Sequence, residues 1–185
     1  MRTITITGNK PAELNIQGGD NDPRIAYIKK ALTRKILTLL DEGLEWVIVA
    51  GQMGVELWTC EVVIELKKSY ELKLGVFPPF LEYSSRWPES YQEKFEQISL
   101  EADIYKPLYN KKYEGPYQFI NKDQWMIHKT DGTVILVDEE YPGSVQYFLE
   151  RAKKAHMESD YPIIWITPMD LEDIVREEMD HQDFY

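Results

Sequence analysis

The sequence predicts an α/β protein, a single Rossmann-like domain with a doubly wound, mainly parallel sheet and helices on both faces. Two patterns predict it. Short apolar runs dense in β-branched residues alternate along the whole chain with longer amphipathic segments, the signature of buried parallel strands joined by helices. Glycine directly follows two of those runs, at Gly8 and Gly51, where a strand gives way to a helix.

The elements follow in order. Residues 2–7 read as a strand, followed by a polar loop rich in glycine and aspartate. Asp22-Pro23 starts a helix, with aspartate as N-cap and proline in the first turn. Ile25, Ile28, Leu32, Ile36 and Leu39 mark its apolar face, and Gly43 stops it. Residues 46–50 form the second strand and 55–70 the second helix, with Trp58, Val62 and Leu66 on one face. A third strand at 72–77 ends at Pro78-Pro79. Pro88 opens a helix carrying Tyr91, Phe95, Ile98 and Ala102, and a short strand is expected at 104–109. The helix over 116–130 is expected to present Tyr117, Ile120, Gln124 and Ile127. Asp131-Gly132 ends it, and a buried strand follows at 133–138. A helix over 144–157 (Val145, Phe148, Leu149, Ala152), a strand over 162–167 and a short helix over 169–179 complete the domain, 1–179. Residues 180–185 read as a frayed acidic tail.

Composition narrows the function. The formal net charge is −11, and residues 170–185 hold seven acidic residues against one arginine. An acidic chain without a basic stripe is not expected to bind nucleic acid. No signal peptide or membrane-length apolar run appears, so the expected location is cytoplasmic, with no membrane partner. The single Cys60 lies within a predicted helix and reads as core filler. His128, His156 and His181 are scattered, so no metal is expected. Neither the full dinucleotide fingerprint nor a Walker lysine motif is present, which disfavours an ordinary NAD dehydrogenase or NTPase.

In an open parallel sheet, ligands bind beyond the carboxyl ends of the strands. That rule gathers the loops 8–11, 51–56, 78–80, 110–117 and 138–144 on one edge. The richest stretch is Trp46-Val-Ile-Val-Ala-Gly-Gln-Met-Gly-Val-Glu56, a strand, a glycine turn and a helix start. Such a turn aims backbone N–H groups and a helix dipole at a ligand, and a glycine lets the ligand come close. On that reasoning Gly54→Ala should abolish binding and leave stability nearly intact. Glu56 reads either as a favourable charge at the helix N-terminus or as an acceptor for ribose hydroxyls.

Several motifs resemble the bacterial YpsA family: Thr5-Ile-Thr-Gly-Asn-Lys-Pro11, Asp41-Glu-Gly-Leu-Glu-Trp46, Ala50-Gly-Gln-Met-Gly-Val-Glu-Leu-Trp58 and Thr130-Asp131-Gly132. The resemblance runs over nearly the whole chain. It implies membership of the SLOG superfamily of Rossmann-like proteins, with the DNA-processing protein DprA and the Lonely Guy phosphoribohydrolases as relatives. It also implies a nucleotide-derived ligand, of the ADP-ribose kind, held by the 51–56 loop. The expected ligand-binding residues are Thr7, Gly8, Gly51, Gln52, Met53, Gly54, Glu56, Lys122, Asp138, Gly143 and Ser144.

The chain departs from the Lonely Guy enzymes. Lys122-Asp-Gln-Trp-Met126 stands where they carry Arg-Asn-x-x-Met. Pro142-Gly-Ser-Val-Gln-Tyr147 lacks two glycines and the glutamate of their second motif. Lysine cannot reproduce a bidentate guanidinium contact. The leading expectation is therefore a regulatory sensor of a nucleotide-derived ligand, non-catalytic or weakly catalytic, acting through a protein partner or a second copy of the chain. One alternative is a hydrolase of an N-glycosidic or phosphoribosyl bond with Glu56 as its acid/base. Another is a structural interaction module with a vestigial pocket.

Overall fold

The computed structural model describes every residue except Gly18, Asp20, Phe184 and Tyr185. Strands β1 (Thr3–Gly8), β2 (Trp46–Val49), β3 (Lys73–Val76), β4 (Ile104–Tyr105), β5 (Gly132–Leu136) and β6 (Ile163–Ile166) form one sheet in the order β4-β3-β2-β1-β5-β6. Every pairing is parallel, with Ile4 of β1 opposite Val47 on one side and Gly132 on the other. The chain lays strands outward from β1 to β4, then crosses back to place β5 against the free side of β1. The order reverses between β1 and β5, and a crevice opens beyond their carboxyl ends.

Helices α1 (Pro23–Asp41), α2 (Val55–Leu66), α3 (Glu89–Glu101) and α6 (Pro168–Asp183) cover one face, and α4 (Tyr117–Lys129) and α5 (Gln146–Ser159) the other. β5 is buried along its whole length, which explains its unbroken apolar sequence. The cores are separate in composition. Ile4, Ile6, Val47, Val49, Leu32, Ile36 and Trp58 pack on the α1–α2 side. Ile48, Ala50, Ile135, Val137, Met126 and Phe148 pack on the α4–α5 side. Alternate residues of β2 and β5 point to opposite faces, so these two strands feed both cores, while β1 gives Ile4 and Ile6 to the first. Cys60 is fully buried in the first, and burial pushes its thiol well above the ordinary range.

The elements deviate from expectation in several places. β4 stops at Tyr105, because Pro107 cannot donate to the ladder. A 3-10 turn at Pro11–Leu14 interrupts the first loop. The segment starting at Gly143 opens as a 3-10 turn before α5. Helix α6 runs on to Asp183, so Asp180–Asp183 continue it where a frayed tail was expected; Phe184 and Tyr185 lie outside the described residues. Its start is fixed by Pro168 and by reciprocal bonds between Thr167 and Asp170. Arg34–Glu177 (2.5 Å) and Lys30–Glu178 then tie it to α1, with Ile174 buried beneath.

Helix α4 is rotated from the expected face. It buries Gln118, Asp123 and Met126, and leaves Tyr117 and Ile120 exposed. Gln118 is buried because its amide satisfies the preceding loop: Oε1 accepts from Glu114 N (2.6 Å) and Gly115 N (3.2 Å), and Nε2 donates to Lys112 O (3.1 Å). A buried polar group held by such bonds escapes a reading based on apolar spacing.

Candidate functional site

A cavity of about 480 Å³ opens beyond the carboxyl ends of β1 and β2, roofed by α4 and α5. Of the expected residues, Thr7, Gly8, Gln52, Glu56, Lys122 and Ser144 line it; Gly51, Met53, Gly54, Asp138 and Gly143 do not. The lining also includes Lys10, Tyr83, Pro116, Phe119, Ile120, Asp123, Val145, Tyr147, Phe148 and Arg151, none of them among the expected ligand-binding residues.

The glycines have a different role from the one expected. A Cβ on Gly54 (φ +97°) would collide with Asn9 O and lie 2.9 Å from Lys10 Cα, both backbone atoms. A Cβ on Gly51 (φ +91°) would meet the Phe95 ring at 2.8 Å. Both glycines hold positive-φ turns whose Cα faces pack against protein. Gly54→Ala is therefore expected to cost stability, contrary to the expectation that it would spare it. Asp138 lies outside the lining, and its Oδ1 accepts from Glu140 N at 3.0 Å within the loop.

Glu56 is the centre of the glycine turn. Its side chain folds back from the first turn of α2, and Oε1 accepts from Ala50 N (3.1 Å) and Gly51 N (3.2 Å). Thr7 Oγ1 donates to Oε2 at 3.0 Å. Only 6% of the residue is exposed. Burial pushes its carboxyl above the ordinary carboxylate range, opposed by the Lys122 ammonium, the Thr7 hydroxyl and backbone N–H groups. The turn thus supplies its own anion, and its first N–H groups are taken.

Glu13 does the same at the start of α5. Its carboxylate accepts from Ser144 N (2.6 Å), Ser144 Oγ (3.0 Å) and Lys10 N (2.8 Å). Gly143 (φ +60°) leaves the room, since a Cβ there would lie 2.8 Å from Glu13 Cδ. Buried Asn9 links the turns, donating Nδ2 to Pro142 O (3.0 Å) and accepting from Val55 N on its carbonyl (3.2 Å).

The opposite wall carries cations and rings. Lys122 Nζ lies 2.6 Å from Asp123 Oδ1, and Arg151 Nη1 lies 3.7 Å from Asp123 Oδ2. Phe119 and Tyr147 stand at the mouth, 36% and 60% exposed. Phe80 sits edge-on to both Phe119 (5.5 Å) and Tyr83 (5.3 Å) and so braces the rim from below. The sequence signal for this wall lay in Tyr147 and Arg151, four apart on α5 and so on one helix face. Among the described residues, no group of three or more His, Cys, Asp or Glu is placed to hold a metal. Among them, too, no helix is long and apolar enough to cross a membrane.

The fold resembles that of the DNA processing protein A from Helicobacter pylori. That solved structure is described by its single-stranded DNA binding mode, and it aligns with a TM-score of 0.55 at 12% identity over 97% of this chain and 81% of that one. This overturns the expectation that no nucleic acid is a partner. That expectation rested on net charge and the lack of a basic stripe, and a fold shared with a DNA-binding protein removes its force; six of the eleven net negative charges lie in residues 170–185, none of which lines the cavity. Among sequence relatives, a UPF0398 protein of Oceanobacillus iheyensis is 49% identical over 177 residues, 96% of this chain and 95% of the relative. A UPF0398 protein of Bacillus cereus (strain B4264) is 47% identical over 179 residues, 96% of this chain and 97% of the relative. The YpsA family model, described as the YspA SLOG family, matches residues 4–171. Strand order, glycine turns and this match agree, and the chain belongs to the YpsA family of SLOG proteins.

Proposed function

We propose that the chain binds a nucleotide or nucleotide-derived small molecule, of the ADP-ribose kind, and acts as a regulatory sensor without turnover. One observation carries this reading: a single cavity at the reversal of strand order holds three kinds of group that a nucleotide needs. Exposed rings, Phe119 and Tyr147, suit a base. Buried Glu56 beside Thr7 suits sugar hydroxyls. Lys122 and Arg151 suit a phosphate. Calorimetry with AMP and ADP-ribose tests it. The expected result is saturable binding weakened in Glu56→Gln by roughly 1–3 kcal/mol, the scale of a hydrogen bond to a charged group. The absence of binding to either ligand at millimolar concentration would sink the reading.

A second reading has its own support. Glu56 and Asp123 are two buried carboxylates in one lining, and Glu56 is held above the ordinary carboxylate range by burial. That pairing suits a general acid and a stabiliser of a cation-like sugar, as in cleavage of an N-glycosidic bond. Release of free base by the wild type, reduced about 100-fold or more in Glu56→Gln with binding retained, would favour it over the sensor. The likeness to a DNA-processing protein adds single-stranded oligonucleotides to the ligands worth titrating, because exposed rings stack on the bases of a strand as on those of a nucleotide.

A further inference from the structure

A phosphate needs donors that the protein has not already used, and on the glycine side of the cavity several of them are used. Ala50 N and Gly51 N donate to Glu56, Met53 N to the Gln52 side chain, and Lys10 N with both donors of Ser144 to Glu13. Two of those acceptors are carboxylates, so an anion arriving there meets its own sign of charge at hydrogen-bonding range. Lys10, the cation on that side, is set against Glu13.

The α4–α5 wall is arranged the other way. Asp123 is only 5% exposed, and this one carboxylate of the α4–α5 wall faces two cations, Lys122 and Arg151. Asp123 Oδ1 lies within ion-pair distance of Lys122 without accepting a well-directed hydrogen bond. Arg151 Nη1 also donates to Tyr147 O (3.0 Å), which fixes the guanidinium beside the mouth. Its Nε and Nη2 have no partner among the described residues. A planar fork with free donors and a converging ammonium is a phosphate-binding arrangement.

We propose that Lys122 and Arg151 form the anion clamp of this cavity, with Asp123 as the positioning residue that converges them. A nucleotide then lies with its phosphate toward α4 and α5 and its sugar hydroxyls toward Thr7 and Glu56. This reverses the orientation that a glycine turn suggests, and it rests on the nucleotide-ligand reading of the same site.

The test is calorimetry on the full chain with AMP, adenosine and inorganic pyrophosphate, with melting temperatures recorded for every variant. Arg151→Gln is expected to weaken AMP and pyrophosphate by about tenfold or more and to leave adenosine unchanged. Arg151→Lys, which keeps the charge and loses the fork, should fall between. Added salt should weaken AMP binding in the wild type more steeply than in Arg151→Gln. Lys122→Gln should repeat the Arg151→Gln pattern. If AMP and adenosine bind the wild type equally, or lose affinity equally in Arg151→Gln, the clamp is wrong while the nucleotide reading survives. AMP binding that is indifferent to Arg151→Gln but changed tenfold by Ser144→Ala would also overturn the clamp, placing the phosphate on the glycine side. Arg151-dependent binding of pyrophosphate without any nucleotide or nucleoside binding would keep the clamp and remove the nucleotide reading. A wild type that binds none of the three would remove both.

Discussion

Glu56 and Glu13 each close a glycine turn on the same edge of the sheet, and each takes backbone N–H groups that an external anion could have used. Their surroundings differ. Glu56 reaches back five and six residues within its own turn and is buried. Glu13 bridges 131 residues to Ser144 and is exposed. Burial dominates at Glu56 and raises its carboxyl above the ordinary range. At Glu13 the hydrogen bonds from Lys10 and Ser144 together outweigh desolvation, its largest single cause, and its carboxyl is lowered. The same chemical device is therefore an internal strut in one place and a long-range latch in the other, and solvent access makes the difference.

Substitutions can break this comparison. The largest effect is expected at the buried turn. Gly54→Ala puts a Cβ against the backbone of Asn9 and Lys10 at a positive φ, and should cost about 3 kcal/mol in urea unfolding. A loss below about 1 kcal/mol would show that the 9–11 loop yields, and that the turn is not a rigid strut.

The exposed turn should yield more easily. Gly143→Ala also forces a positive φ, but its Cβ meets side-chain ends and no backbone: the Glu13 carboxylate and, at 3.3 Å, Asn9 Nδ2. The expected cost is about 1–2 kcal/mol, combining backbone strain with the lost Glu13 bonds. A cost equal to that of Gly54→Ala would erase the distinction between strut and latch.

The two carboxylates should also respond oppositely to pH. Glu56 has a raised folded value, so the folded state holds its proton more tightly, and wild-type stability falls as pH rises from the ordinary carboxylate range through the raised value. Glu56→Gln keeps an acceptor for Ala50 and Gly51 and removes that cost. Its melting temperature relative to wild type should rise with pH, and a flat or falling difference would contradict the assignment. Glu13 has a lowered folded value, so its contribution is present above the ordinary carboxylate range and is lost as pH falls through the lowered value. Glu13→Gln should therefore be the less stable form at neutral pH, by less than about 1 kcal/mol for so exposed a group, and match wild type in acid. A difference that persists at low pH would mean the latch does not depend on charge.

Much of the fold was legible because it rests on local patterning. The runs around Ile4, Val47 and Val134 read as buried strands, and Asp22-Pro23 and Gly43 bounded α1 where the structure bounds it. The strand order was not legible, since pairing β1 with β5 is a long-range choice that periodicity does not encode. The site was legible in outline. The rule that ligands gather beyond the strand ends pointed to an edge that does carry a cavity, and Thr7, Gly8, Gln52, Glu56, Lys122 and Ser144 line it. Apart from Lys122, the α4–α5 wall was hidden because Asp123 is a polar residue buried by specific partners, and apolar spacing points away from such a group.

The sequence by itself determined the alternation of strands and helices, their caps and the presence of two glycine turns. These follow from residue-level preferences acting over a few positions. Only the tertiary structure decided what those turns hold. Glu13 reaches Ser144, and Lys122 and Arg151 converge on Asp123, because chain crossings bring distant segments within hydrogen-bonding or ion-pair range. Which N–H groups remain free for a ligand depends on those long-range partners, because a donor already satisfied by a carboxylate has little left to offer a phosphate.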